Sequence, residues 1–236
     1  EALQLHATFT VAEMLRNGTT TFMEFGSGRH IQDALKVEVT RLGTRAYLGV
    51  GYDLGRWVTD EKGRLKRVLD EKGGWRAFED AKEFIRLVDG DSQERIRGIL
   101  LPTQVDTCSP ELLEASREAA RELNAPIATH ACYHILEYFQ VMREHGMTPI
   151  ELLDSVGMLG PDLIIGHCNF VADNPMMHTS AARDLELIAE SGASVGSCPV
   201  NLARRARYLD HWDQYRKAGI NLTLGTDTYP RDLIMN

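Results

Sequence analysis

Two histidines and an aspartate in this 236-residue chain share one setting: each follows directly on a short strand-like run. Pro126–Thr129 leads into His130, Asp162–Gly166 into His167, and Asn221–Thr226 into Asp227. Imidazoles with a carboxylate form a ligand set suited to zinc, and also to iron or manganese. Each residue alone has an ordinary structural use. A histidine beside a strand can be a satisfied core residue, and an aspartate in Gly225-Thr226-Asp227 can be a turn or cap residue. The other histidines carry less. His134 lies four residues after His130, but no glutamate stands second as HExxH requires. His145 precedes Gly146 at a helix end, where it favours the dipole. His6, His30, His178 and His211 read as exposed helix or loop residues, or as rim residues. The run Arg204-Arg205-Ala206-Arg207 reads as a solvated loop, or more sharply as a lid over an anionic substrate.

The elements that must carry these residues alternate. Strand patterns start at 19, 44, 96, 126, 162, 193 and 221, with helical spacing between them. Trp75–Val88 places Phe78, Ala81, Phe84, Ile85 and Val88 on one face. Ser109-Pro110-Glu111 and Thr148-Pro149 open helices. Asp53–Gly74 is charge-rich and reads as a rim excursion, partly helical. The alternation implies βαβ units and a parallel sheet. The first strand ends in Glu24-Phe25-Gly26-Ser27-Gly28, without the GxGxxG spacing of a doubly wound nucleotide fold. Seven strands in this length fit a (βα)8 TIM-type barrel lacking its first strand, a fragment whose reactive groups gather at strand C-termini. The chain opens on Glu1 and stops just after a strand, so residues 1–236 read as one barrel domain cut at both ends.

Composition excludes other classes. The chain is 43% hydrophobic and 25% charged, which rules out disorder, and its formal charge of −8 disfavours nucleic acid and anionic membranes as partners. No run approaches the ~18 apolar residues of a membrane span. Cys108, Cys132, Cys168 and Cys198 form no CxxC pair, so free thiols in the cytoplasm are expected.

The motifs NGTTTFMEF, PIATHACYH, LIIGHCNF, SCPVN and LGTDT, in that order from about Leu3 to Asn236, resemble the amidohydrolase superfamily. They resemble most its cytosine-deaminase, guanine-deaminase and triazine-chlorohydrolase branch. The resemblance implies a metal-dependent hydrolase that attacks a C–N or C–Cl bond of a small heterocycle with a metal-activated water. It implies one divalent metal, zinc or iron, held by His130 and Asp227, with His167 as a contact to the water or a further ligand. Asp227 would move the water's proton, and His167 would steady the developing oxyanion. The HxH pair that members carry after the first strand has no counterpart in the chain. Deaminases of the branch carry HxxE after the fifth strand, whereas His130-Ala131-Cys132-Tyr133 sets a phenol there, a weaker proton shuttle at neutral pH. Glu137 is a substitute for that acid or a surface residue. Gln104, Ser197 and Asn201, at strand ends, contact a heterocycle or satisfy loop backbone. A binuclear cyclic amidase is a second reading, against which the fourth strand offers no lysine. A decayed barrel acting as a binding protein is a third. The partner is a small molecule, and homo-oligomers are common on such folds.

Overall fold

The computed structural model describes residues 1–90, 95–174, 177, 183–205 and 211–228. The chain runs through α1 (Ala2–Arg16), β1 (Thr21–Met23), α2 (Arg29–Leu42), β2 (Arg45–Leu48) and β3 (Gly51–Tyr52). A hairpin of β4 (Gly55–Thr59) and β5 (Leu65–Leu69) precedes α3 (Glu71–Asp89). Then come β6 (Ile96–Gly98), β7 (Leu101–Pro102), a single 3-10 turn over Val105–Thr107, α4 (Pro110–Leu123) and β8 (Ile127–Ala131). The remainder is α5 (Ile135–His145), α6 (Pro149–Ser155), β9 (Leu163–His167), α7 (Asp184–Ser191), β10 (Ser194–Ser197), α8 (Pro199–Arg204), α9 (Trp212–Lys217) and β11 (Asn221–Leu224).

Apart from the hairpin, every strand pair is parallel. β1 pairs with β2 and β2 with β6; β3 pairs with β7; β8, β9, β10 and β11 pair in sequence. Single bridges Ser27–Val50, Leu100–Ile127 and Gln104–His130 knit these sheets into one ribbon of seven parallel positions in chain order. Register is unambiguous, with Ala46 opposite Ile96, Ile127 opposite Leu163, and Ser194 between Ile164 and Asn221. The seven expected strands are all present. Among the described residues β1 and β11 are not paired with each other, so the α/β ribbon is not closed into a ring.

Alternation along the strands sorts two layers. Ile96, Leu100, Ile127, Leu163 and Ile165 join the main core under the helices, whereas Ile99, Leu101 and Ala128 form a small inner cluster with Met23, Phe25 and Ile164. Helix α3 buries Phe78, Ala81, Phe84, Ile85 and Val88, as its spacing predicts. Asp70 caps it by accepting from Gly73 N at 2.9 Å, and Ser109 caps α4 at Leu112 N. At Gly49 the strands approach so closely that a Cβ would lie 2.1 Å from the Ile99 carbonyl oxygen.

Asp53–Gly74, expected as a partly helical excursion, is for the most part the β4–β5 hairpin, and its helical part is the start of α3 from Glu71. Its turn is made by the Asp60 carboxylate, which accepts from Lys62 N and Arg64 N at 2.9 Å, and by Gly63 at φ +74. Trp57 Nε1 donates to the Asp106 carboxylate at 2.6 Å, and Arg67 to the Asp106 carbonyl at 2.8 Å. Arg67 also clasps Glu144 of α5. Among the described residues no helix is long and apolar enough to cross a membrane.

Candidate active site

The C-terminal ends of the parallel strands, together with α1 and α2, line a cavity of about 680 Å³, whose wall includes Glu24, Thr103, His130, His167 and Asp227. The three residues first singled out therefore share one chamber, although three different strands deliver them. Five non-glycine residues have positive φ among the described residues, and four of them are Cys132, His167, Cys168 and Asp227, at the ends of β8, β9 and β11. Left-handed backbone at non-glycine residues is costly and gathers where a fold must aim a side chain. At His167 the consequence is visible. Alternation sends Ile164 and Gly166 to the cavity and would send the next residue outward, yet His167, at φ +70, also borders the cavity.

His130 is held at both ends by one acceptor. Its backbone N–H donates to the Thr103 carbonyl at 3.1 Å, and its Nδ1 contacts the same oxygen at 2.6 Å. A carbonyl oxygen only accepts, so Nδ1 carries the hydrogen and Nε2 keeps its lone pair. Burial lowers the imidazole pKa, opposed by the Thr103 contact and by the charges of Asp227 and Glu24. The ring is thus neutral at physiological pH, with a fixed tautomer, which is the state a metal ligand requires. It lies between the Phe25 ring at 4.9 Å and the His167 ring, stacked at 5.2 Å and 19°.

Asp227 accepts a hydrogen bond from Asn201 Nδ2, and Asn201 Oδ1 accepts from Thr228 at 3.1 Å. Tyr133 lies against His167, ring centroids 4.2 Å apart, and its hydroxyl accepts from Arg205 Nη1. The other polar candidates are occupied or turned away. Gln104 donates its amide to Asp106 at 2.7 Å, and Ser197 is 0% exposed while its neighbours Gly196 and Cys198 line the cavity.

Glu137 is no surface residue: it is 1% exposed. Its carboxyl collects the backbone N–H groups of Cys132 at 2.9 Å, Tyr133 at 3.0 Å and His134 at 3.4 Å. It fixes the turn carrying Tyr133 and completes the capping box of α5, in which His134 Nδ1 accepts from Leu136 N. Burial, reinforced by the charge of Asp106 and offset by the three amides, pushes its pKa up to about 8. His211, expected at the surface, is 4% exposed and packs on Tyr215. His6 stays exposed and borders the cavity from α1. His178, Ala206 and Arg207 lie outside the described residues.

Sequence reasoning missed Glu24 because it lies inside the strand-like run Thr19–Phe25; in the structure it directly follows β1. Its carboxylate accepts from Gly26 N at 3.1 Å, Ser27 N at 3.2 Å and Ser27 Oγ at 2.6 Å, and from buried Gln32. It shapes the turn that closes one side of the cavity. Among the described residues no three His, Cys, Asp or Glu side chains are grouped to hold a metal ion. His130 brings a ligand-ready imidazole to the chamber, and Glu24 and Asp227 bring carboxylates.

A sequence profile of the amidohydrolase family matches residues 1–235. The chain belongs to the amidohydrolase family. It is 33% identical over 222 residues to a 5-methylthioadenosine/S-adenosylhomocysteine deaminase of Halobacterium salinarum, covering 94% of this chain and 46% of that protein. A 5'-deoxyadenosine deaminase of Methanosarcina mazei is 27% identical over 215 residues, covering 91% and 44%. Among solved structures, an adenosine deaminase from Xanthomonas campestris with bound zinc superimposes with a TM-score of 0.77 at 23% identity, over 97% of this chain and 47% of that one. The chain spans about half the length of the curated relatives it matches.

Proposed function

We propose that the protein of which this chain forms part is a metal-dependent hydrolase that removes an amino group from a small nitrogen heterocycle. Water adds at the ring carbon bearing the amine, the C–N bond breaks, and the products are a ring carbonyl and ammonia. The observation that carries the reading is His130: Nδ1–H held by the Thr103 carbonyl, Nε2 unprotonated, beside His167 and Asp227. Family membership and the deaminase relatives support it.

His130 and Asp227 would hold one divalent metal, zinc in the first instance, with further ligands from outside these 236 residues. Held there, such a metal would supply a water that is nucleophilic at neutral pH. Asp227, oriented by Asn201, takes the water's proton and returns it to the leaving nitrogen. His167, braced between the rings of His130 and Tyr133, donates to the oxygen as negative charge develops on it. The strands would close as a (βα)8 barrel. β1 and β11 border the same cavity, so one further strand between them completes the ring. Four free cysteines agree with a cytoplasmic enzyme.

Elemental analysis of the full-length protein tests the proposal. About one metal per chain is expected, lost in His130→Ala and in Asp227→Ala. Two metals per chain would move the assignment to a binuclear amidase. No metal after reconstitution would sink it.

A further inference from the structure

We infer that Glu137 is a positioning residue of the active site: its buried carboxyl locks the turn after β8 and, through Cys132, the turn after β9, and so aligns His130 with His167. The inference rests on the hydrolase reading above and adds to it the group that sets the two imidazoles against each other.

Helices α5 and α6 open on the same motif, a capping box with a glutamate at its third position, and the two glutamates behave differently. Glu151 accepts from one backbone group, Thr148 N at 2.7 Å, as a cap requires. Glu137 accepts from three. The bond that belongs to the cap, from His134 N, is the longest of them at 3.4 Å. The two shorter bonds, 2.9 Å from Cys132 N and 3.0 Å from Tyr133 N, reach back past the helix into the turn that follows His130. With Glu137 only 1% exposed, those amides have no solvent to turn to.

The turn so held is shared with β9. The Tyr133 N–H and the Cys132 carbonyl belong to one peptide unit. On one side it donates to Glu137; on the other it accepts from Asn169 N and Phe170 N, both at 2.8 Å. Cys168 N donates to the Ala131 carbonyl at 3.1 Å, and the Tyr215 hydroxyl to the Cys168 carbonyl. Three of the residues joined this way, Cys132, His167 and Cys168, have left-handed backbone, at φ +54, +70 and +55. Such backbone persists only where surrounding bonds over-determine it. The stacked rings of His130 and His167, 5.2 Å apart with 19° between their planes, are the product of these two turns. Without the Glu137 bonds the peptide is free to rotate, and the ring pair loses its fixed spacing.

Two variants of the full-length protein test this, Glu137→Gln and, as a control, Glu151→Gln. Glutamine serves a capping box as glutamate does, so a role confined to capping leaves both variants silent. With isotope-labelled histidine, Glu137→Gln should shift the ring resonances of both His130 and His167 and leave those of His6 and His145 in place. Glu151→Gln should shift neither ring of the pair. With adenosine as the amino-heterocycle probe, ammonia release by Glu137→Gln should show kcat lower by about tenfold or more at a KM within about threefold of wild type. Unmoved His130 and His167 resonances in folded Glu137→Gln would overturn the inference, and so would a raised KM at unchanged kcat. Hydrogen exchange on the wild type decides the matter even where the variant does not fold. The N–H groups of Cys132, Tyr133, Asn169 and Phe170, all outside strands and helices, should exchange as slowly as those within β8 and β9. Exchange more than about a hundredfold faster than in those strands would overturn the brace. Wild type that releases no ammonia, with the ring shifts as expected, would strike at the hydrolase reading alone, so the two failures are distinguishable.

Discussion

Replacing Glu137 with glutamine should reverse the sign of its effect on stability between pH 5 and pH 9. The carboxyl is buried and bonded to three backbone amides, and burial with the charge of Asp106 raises its pKa from 4.5 to about 8. A raised folded-state pKa means the fold favours the protonated form. That contribution is complete below the unfolded value near 4.5 and is lost as pH climbs through about 8. Each pKa unit is worth about 1.4 kcal/mol, so on the order of 5 kcal/mol separates the two ends of this window. Glutamine cannot ionise and loses this slope. At low pH it is the poorer fit, because its NH₂ group faces amide donors where the carboxyl offered acceptors. Leaving one or two buried N–H groups unpaired costs about 1–3 kcal/mol. The variant should therefore unfold more easily than wild type at pH 5 and less easily at pH 9, with the curves crossing between. Urea unfolding of the full-length protein and the variant, in steps across this range, reads the difference while histidines common to both cancel. Asp184, raised by burial to about 6, titrates in both proteins and adds a slope common to them. Parallel curves with a constant offset would refute the reasoning, since they would mean Glu137 binds its proton equally in both states.

Two further outcomes follow from packing. Gly49→Ala would drive a Cβ to 2.1 Å from the Ile99 oxygen and 2.8 Å from Leu101 Cδ1, so the strands must separate. A loss of about 1–3 kcal/mol and a Tm several degrees lower are expected; a Tm within about a degree of wild type would show the contact to be soft. Trp57→Phe removes the donor that ties the hairpin to buried Asp106. Hydrogen exchange in residues 55–69 should accelerate, with about 1–3 kcal/mol of stability lost; unchanged exchange would mean Arg67 alone secures the hairpin.

The parallel strands are legible in the sequence because each is a short apolar or β-branched run bounded by turn residues, and the helices between them carry period-3.6 faces and recognisable caps. The hairpin is not. Its strands are charged, with no clean apolar face, and it is specified by Asp60, Gly63 and the distant anchor Asp106. Glu137 is likewise indistinguishable in sequence from the other acidic residues on amphipathic helices. Its burial follows from where α5 begins relative to β8.

Taken by itself, the sequence determined the chemistry on offer: histidines and carboxylates at strand ends, an acidic chain, and the ordered motifs of a family. Tertiary structure decided which of those side chains meet. Side chains alternate between the two faces of a strand, so one step of register separates the cavity from the core. That step leaves Gly196 and Cys198 on the cavity wall and buries Ser197 away from it. At the end of β9 a left-handed backbone at His167 brings an out-of-phase residue to the same chamber. Dihedral angles and register arise from contacts between strands far apart in sequence, and no local pattern encodes them.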